Sequence, residues 1–181
     1  MNSKGKMSDF ICTMCGECCQ GEGSAFLYPD DVKKISKELN MTIQEFVDKY
    51  TNYILFEVIE GKGSYLYIPY LTLKKDKNDI CVFSDDKVCT IHKFKPFHCD
   101  HTPFVSEFFS DEEWRKEVSL KCPALIKMEE KDLDKYKYKA EEADQNEREY
   151  YYILRENNFN LEKILNITLP APQIIISDDS N

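Results

Sequence analysis

The sequence contains no apolar run that approaches the roughly 18–20 residues a membrane-spanning helix needs. Its first residues, Met-Asn-Ser-Lys-Gly-Lys-Met, hold no apolar stretch of the kind that a secretory signal carries. We therefore expect a soluble, cytoplasmic protein without a membrane partner. In that reducing compartment, clustered cysteines are more often metal ligands or catalytic groups than parts of a disulfide framework.

Basic residues are also in deficit, with 24 Lys and Arg against 33 Asp and Glu and a net charge of −9. No Lys/Arg run suggests a local basic groove, so we expect no nucleic-acid partner. The sequence shows no Gly-rich nucleotide loop after a strand, no Ser/His/Asp arrangement and no metalloprotease helix motif. Any catalytic site would therefore have to be built on the cysteines themselves.

Local patterns predict an α+β fold. Pro29 followed by two aspartates is typical of the first turn of a helix, because proline lacks the N–H that would be unpaired there. Thr42 and Glu45 form a capping box for a second helix. Residues 53–59 and 64–75 have the Tyr/Ile/Leu/Phe content of strands, and Pro69 indicates an edge strand or an interruption. A long helix is predicted from about residue 132 to 156.

The predicted organisation has three parts. Residues 1–8 form a flexible tail, and residues 9–126 form the cysteine-cluster domain, a small metal-nucleated unit with short helices and a few strands. Residues 127–181 form a helical extension that packs on this domain. The extension contains neither cysteine nor histidine, so metal chemistry is expected to lie before it.

Eight cysteines dominate the chemistry of the chain. They follow the pattern Cys12-x2-Cys15-x2-Cys18-Cys19, then Cys81, Cys89, Cys99 and Cys122. A two-residue spacing lets successive thiolates converge on one centre, as in zinc knuckles and ferredoxins. Adjacent side chains such as those of Cys18 and Cys19 point in different directions. The pattern therefore indicates either two centres that share this loop or one centre with spare thiols.

The identity of the metal stays open between zinc and an iron–sulfur cluster. Zinc accepts four thiolates, and His92, His98 and His101 lie close enough in sequence to Cys89 and Cys99 to be possible nitrogen ligands. The three evenly spaced cysteines with a remote Cys-Pro pair at Cys122 are similar to a bacterial ferredoxin run. In ferredoxins, however, the fourth cysteine follows closely.

The chain resembles the YkgJ-type cysteine-cluster family over about residues 10–124. The resemblance rests on the four-cysteine opening after Phe10 and on the box Cys89-x-Ile91-His92-x2-Lys95-Pro96-x2-Cys99. It implies a domain that chelates zinc or iron. The ligands that it implies are Cys12, Cys15, Cys18, Cys19, Cys81, Cys89, Cys99 and Cys122. Lys95 and Asp100 stand where the family usually has arginines, which lysine does not replace as a bidentate donor.

Two functions are compatible with this pattern. In the first, the metal is structural or regulatory, and the protein is a small binding or maturation module. In the alternative, which the family resemblance implies, an iron–sulfur-dependent enzyme carries out redox chemistry or methyl transfer on a protein or peptide partner. A structural centre has four protein ligands, whereas a catalytic centre keeps a position for water or substrate. The sequence leaves the oligomeric state open.

Overall fold

A computed structural model describes residues 9–20, 23, 25–59 and 64–176. The expected tail at residues 1–8 lies outside these ranges, as do parts of the loop at residues 21–24. In chain order, the elements are a 3₁₀ turn (Glu17–Cys19), β1 (Phe26–Leu27), α1 (Pro29–Glu38), α2 (Ile43–Tyr50), β2 (Thr51–Ile59), β3 (Tyr65–Leu73), β4 (Ser84–Asp85), β5 (Val88–Cys89), a 3₁₀ turn (His92–Phe94), α3 (Phe97–His101), α4 (Ser106–Ser110), α5 (Glu112–Lys121), α6 (Pro123–Ile126), two 3₁₀ turns (Glu130–Asp132 and Asp134–Tyr136), α7 (Lys137–Glu156), α8 (Leu161–Leu165) and β6 (Gln173–Ile176). This mixture of helices and a few strands confirms the α+β class.

The larger sheet has the strand order β1-β3-β2-β6. β2 and β3 are antiparallel along their whole length, and β6 runs parallel to β2. β1 pairs with β3 only at Leu71 and Thr72, so Pro69 lies beyond the end of β1. Its missing N–H therefore removes no hydrogen bond from the sheet, and β3 continues through Pro69 without a break.

Buried residues pack on both faces of this sheet, as the alternation of side chains along β3 requires. Leu71 belongs to a core formed with α1, α2 and α8, which includes the fully buried Ile35 and Phe46. The neighbouring Tyr70 packs on the opposite face against Tyr150 and Leu154 of α7. The C-terminal extension therefore covers one face of the sheet with α7, contributes α8 to the core on the other face, and supplies β6 as a strand.

A third buried cluster lies away from the sheet and is mainly aromatic. Phe104 stacks on Tyr136 with ring centroids 4.4 Å apart, and its edge contacts Phe10 at 4.9 Å. Phe108 and Leu125 complete the cluster. These contacts fasten the start of the cysteine-rich segment to α4, α6 and the turn before α7.

Helix ends follow the sequence signals closely. α1 begins at Pro29, and the Thr42 and Glu45 side chains each accept a hydrogen bond from the other's backbone N–H. The long helix begins at Lys137 rather than near residue 132, because two 3₁₀ turns precede it.

The division of the chain after residue 126 stays a prediction. Among the described residues, no helix is both long and apolar enough to cross a bilayer.

Neighbouring residues of α7 provide a test of this packing. Leu154 is fully buried against the sheet, whereas Ile153 is 41% exposed. We expect Leu154→Ala to lower the free energy of unfolding by about 2–5 kcal/mol, since it leaves a cavity in the core. Ile153→Ala should change it by no more than about 0.5 kcal/mol. Urea unfolding of both variants measures the difference, and equal effects would contradict the docking of α7 on the sheet.

Candidate metal centre

All eight cysteines lie in described residues and carry free thiols. They come from six parts of the fold. Cys12 and Cys15 lie in the segment before the first 3₁₀ turn, and Cys18 and Cys19 lie within it. Cys81 lies just before the β4–β5 hairpin, and Cys89 ends β5. Cys99 lies in the middle of α3, and Cys122 lies between α5 and α6.

Backbone pairing joins the first cysteine group to the second. The Cys81 N–H donates to the Cys19 carbonyl oxygen at 2.8 Å, beside an antiparallel bridge between Gln20 and Ile80. The Cys99 thiol in turn experiences the charges of Cys18, Cys81 and Cys89. This backbone bond and these electrostatic interactions define what we call the sheet-side thiol group, which consists of Cys18, Cys19, Cys81, Cys89 and Cys99.

The other three cysteines form a separate neighbourhood. The Cys122 thiol experiences the charges of Cys15 and Cys12. Cys122 also packs on the aromatic cluster that contains Phe104, and Phe10 of the same cluster precedes Cys12 by two residues. We call Cys12, Cys15 and Cys122 the helix-side thiol group. The structure thus places the eight predicted residues in one group of five and one group of three.

Gly16 permits the close approach between the cysteine turn and the β4–β5 hairpin. Its φ of +76° is in the left-handed region, and a Cβ at this position would lie 2.7 Å from the Lys87 carbonyl oxygen. Asp86 and Lys87 form the two-residue hairpin turn, both with positive φ, as the twist of a tight hairpin favours. Any larger residue at position 16 would push the turn away from the hairpin that carries Cys89.

Backbone N–H groups are directed at three of the sulfur atoms. Phe83 donates to Cys81 and Ile91 to Cys89, each from two residues further along the chain. Cys122 accepts similar bonds from the residues that open α6. Burial raises the pKa of all three thiols, and these hydrogen bonds oppose that rise because they favour the thiolate. Hydrogen bonds to sulfur are a feature by which proteins tune metal–thiolate centres.

Charge repulsion within the sheet-side thiol group favours a bound cation. Burial, followed by the charges of Cys18, Cys81 and Cys89, raises the pKa of Cys99. A hydrogen bond between the adjacent thiols lowers the pKa of Cys18 and raises that of Cys19. The two sulfur atoms therefore share one proton. Several thiolates in this space need a positive partner, and a metal ion supplies it, since a coordinating thiol loses its proton.

Lys95 and Asp100, which replace the expected arginines, pair with each other at 3.2 Å beside Cys99. Lys139 of α7 donates to the same carboxylate at 3.1 Å. Partial burial opposes ionisation, but the hydrogen bonds from Lys139 and Lys95 hold the pKa of Asp100 below its usual value. Lys95 also acts on the Cys18, Cys89 and Cys99 thiols and favours their thiolates.

The three histidines differ in their surroundings. Both ring nitrogens of His101 are engaged, with the Phe97 carbonyl oxygen at 3.0 Å and a Glu142 carboxylate oxygen at 3.1 Å. His98 packs against Phe26, and burial lowers its pKa. His92 buries its Nε2 atom, which finds no hydrogen-bond partner among the described residues. His92 and His101 line a cavity of about 810 Å³ together with Lys95 and Asp100.

The donor set fits zinc or iron by its chemistry. Thiolates with N–H···S hydrogen bonds suit both metals, and the partly buried thiols repel one another unless a cation neutralises them. Within the described ranges, no three Cys, His, Asp or Glu side chains converge tightly enough to form a finished coordination shell. The assignment of individual ligands therefore stays a prediction.

The fold and the thiol groups together define a small α+β protein built for metal chelation by cysteine. Residues 11–123 match the CxxCxxCC family, described as "Putative zinc- or iron-chelating domain", and the chain belongs to this family. The matched range begins one residue before Cys12 and ends one residue after Cys122, so it includes all eight cysteines. No solved structure matches the chain significantly.

Several residues that shape this site gave little sign of it in the sequence. Gly16 carries a recognisable signal, because a glycine between closely spaced cysteines often marks a required backbone conformation. Lys139 and Tyr136 carry none, since each lies in a charged or mixed helical pattern. Tyr136 accepts a hydrogen bond from the Phe10 N–H, and only the folded chain reveals that the extension positions the cysteine segment.

The two described glycines allow a matched test of the close approach. Both have positive φ, but an added Cβ would collide with Lys87 at Gly16 and meets nothing within 4 Å at Gly23. We expect Gly16→Ala to reduce the metal content of the purified protein strongly, whereas Gly23→Ala should retain it. Metal analysis of both variants, purified without oxygen, measures this. Equal metal content in the two variants would show that the turn does not need this contact.

Proposed function

We propose that the protein is a cytoplasmic module in which zinc or an iron–sulfur cluster has a structural or regulatory role, and that it serves the binding or maturation of a protein or peptide partner. The observation that carries this proposal is the weak packing of the cysteine segment. Within residues 9–20, only Gly16 is buried. A segment with so little buried apolar surface requires another source of order, and metal–thiolate bonds provide it.

The separation of the thiols supports two centres. The sheet-side thiol group has more than enough sulfur atoms to close a four-coordinate site without solvent. The helix-side thiol group supplies three, and its Cys122 is held by the N–H groups of α6. The cysteine loop would then contribute ligands to both centres, with the adjacent Cys18 and Cys19 both on the sheet side. The proposed ligands come from the eight cysteines predicted from the sequence.

Metal analysis tests the proposal. Protein purified without oxygen should carry zinc or iron at no less than about one equivalent per chain, because the folded thiol groups favour a cation. An absorption band near roughly 400 nm would identify an iron–sulfur cluster, and its absence with bound zinc would identify a zinc protein. Fully reduced protein that folds normally without any metal would overturn the proposal.

Cysteine variants test the structural role and the two centres. Cys15→Ser should lose metal and hydrogen-exchange protection around residues 10–20, since a structural site contributes on the order of 10 kcal/mol to folding. Cys99→Ser and Cys122→Ser should each lose metal from one thiol group and retain the other. Glu141→Gln on α7 is a control that should change neither quantity. A Cys15→Ser protein with normal metal content and protection would remove Cys15 from the ligand set.

A second candidate function is an iron–sulfur-dependent enzyme for redox chemistry or methyl transfer on a protein or peptide. Two observations favour it. A cavity is lined by His92, Lys95 and Asp100, the residue that follows Cys99. The helix-side thiol group supplies three sulfur atoms rather than four. X-ray absorption of the purified protein distinguishes the two functions. Four sulfur ligands at about 2.3 Å from each zinc would support the structural role, and a vacant position would support the enzyme.

A further inference from the structure

A second cavity, of about 640 Å³, lies between the larger sheet, α3, α4 and α7. Its walls are largely aromatic. Phe26, Phe56 and Tyr70 come from three neighbouring strands, and His98 comes from α3. The sequence pattern predicted strands in this region but did not predict a cavity, because these aromatic residues are separated by up to 72 positions in the chain.

The rings enclose one corner of this cavity. Phe26 lies 5.1 Å from Tyr70 and 5.4 Å from His98, measured between ring centroids. Phe56 and Tyr70 meet almost at right angles, at 87° and 5.8 Å. Rings tilted against one another expose faces in more than one direction, and a cation within about 6 Å of a ring face is attracted by the ring quadrupole.

Charged residues around the cavity are all acidic. Glu57, Glu107, Asp144 and Glu147 line it, and among its described lining residues there is no lysine or arginine. The other cavity differs, because Lys34, Lys93 and Lys95 are among its lining residues. The fold thus contains one cavity of mixed charge and one aromatic cavity whose described charged lining residues are all acidic.

Glu147 is a carboxylate of the cavity that accepts hydrogen bonds from two tyrosine hydroxyls. Tyr28 donates its hydroxyl hydrogen to Oε2 of Glu147 at 2.7 Å, and the Tyr70 hydroxyl donates to Oε1. Each oxygen retains a lone pair after these bonds, so Glu147 can still accept from, or pair with, a positive group. Asp144, one turn earlier on α7, accepts from the Ser106 hydroxyl at 2.9 Å.

We propose that this cavity binds an organic ammonium ion. The aromatic walls suit the alkyl groups that carry the positive charge, and the carboxylates of Glu147 and Asp144 complement the charge itself. A small inorganic cation would instead require converging oxygen ligands, and among the described residues no three acidic side chains converge in this way. An anion is disfavoured by the four carboxylates, since the described lining residues include no lysine or arginine. The site is separate from both thiol groups and does not depend on which metal they hold.

Ligand titrations of the full-length, metal-loaded protein test this site. Choline and n-butylammonium represent a quaternary and a primary ammonium group, and their neutral counterparts are 3,3-dimethylbutan-1-ol and n-butanol. At least one cation should bind about tenfold more tightly than its neutral counterpart. Its proton resonances should shift upfield, because they lie over aromatic rings. Equal binding of cation and alcohol, or no binding of either cation, would overturn the proposal.

Variants locate the binding in the cavity. Glu147→Gln keeps an oxygen that accepts from a tyrosine and removes the charge, and it should weaken cation binding by about fivefold or more. Asp144→Asn, at an exposed residue, is a second variant that tests the charge if Glu147→Gln fails to fold. Glu141→Gln removes the same charge from the same helix outside the cavity and should leave the affinity unchanged. An affinity that is unchanged in both cavity variants would place any binding elsewhere and overturn the assignment.

Discussion

The contact between the cysteine turn and the strands around residues 80–89 is the one on which the candidate metal centre depends. It consists of the backbone bond from Cys81 to Cys19 and the absence of a side chain at Gly16. Together they bring residues that are more than 60 positions apart into one thiol group. The turn contributes little apolar burial, so its position relies on these backbone contacts and, in the function that we propose, on a bound metal.

Electrostatics explains why a bound metal would stabilise the thiol groups. Partial burial and mutual repulsion disfavour several thiolates in one place, and the N–H groups of Phe83 and Ile91 offset only part of that cost. A cation removes the repulsion directly. The ion pair of Lys95 with Asp100, joined by Lys139 from α7, adds a fixed positive neighbour. Through Lys139 and Tyr136, the C-terminal extension takes part in shaping a site to which it contributes no cysteine.

The α3 helix links the two functional regions that we infer. Cys99 belongs to the sheet-side thiol group, and the preceding residue, His98, lines the aromatic cavity. Adjacent residues on a helix point in directions about 100° apart, so one short helix can serve both regions. This arrangement allows a ligand in the aromatic cavity to lie near the thiols without contact with them. The mixed-charge cavity, which also touches α7 at Asn146, is lined by lysines.

The sequence by itself determined the class of chemistry and much of the local structure. Cysteine spacing alone indicated zinc or iron chelation, because thiolates two residues apart can share a centre, and the family match agrees. The Pro29 start and the Thr42–Glu45 capping box were readable, since a helix end is decided by residues three or four positions apart. The effect of Pro69 on its strand was only partly predictable, because the position of Pro69 relative to the sheet edge depends on where β1 ends.

Tertiary structure alone decided how the cysteines divide and what surrounds them. The groups of five and three arise from backbone pairing at Cys19 and Cys81 and from the aromatic cluster beneath Cys122, and neither is visible in residue spacing. The aromatic cavity likewise depends on Phe26, Phe56 and Tyr70 meeting on one face of a sheet. The spacing of residues in the sequence determines which nearby side chains can lie next to one another. Contacts between distant segments depend on how whole elements pack, which no local pattern encodes.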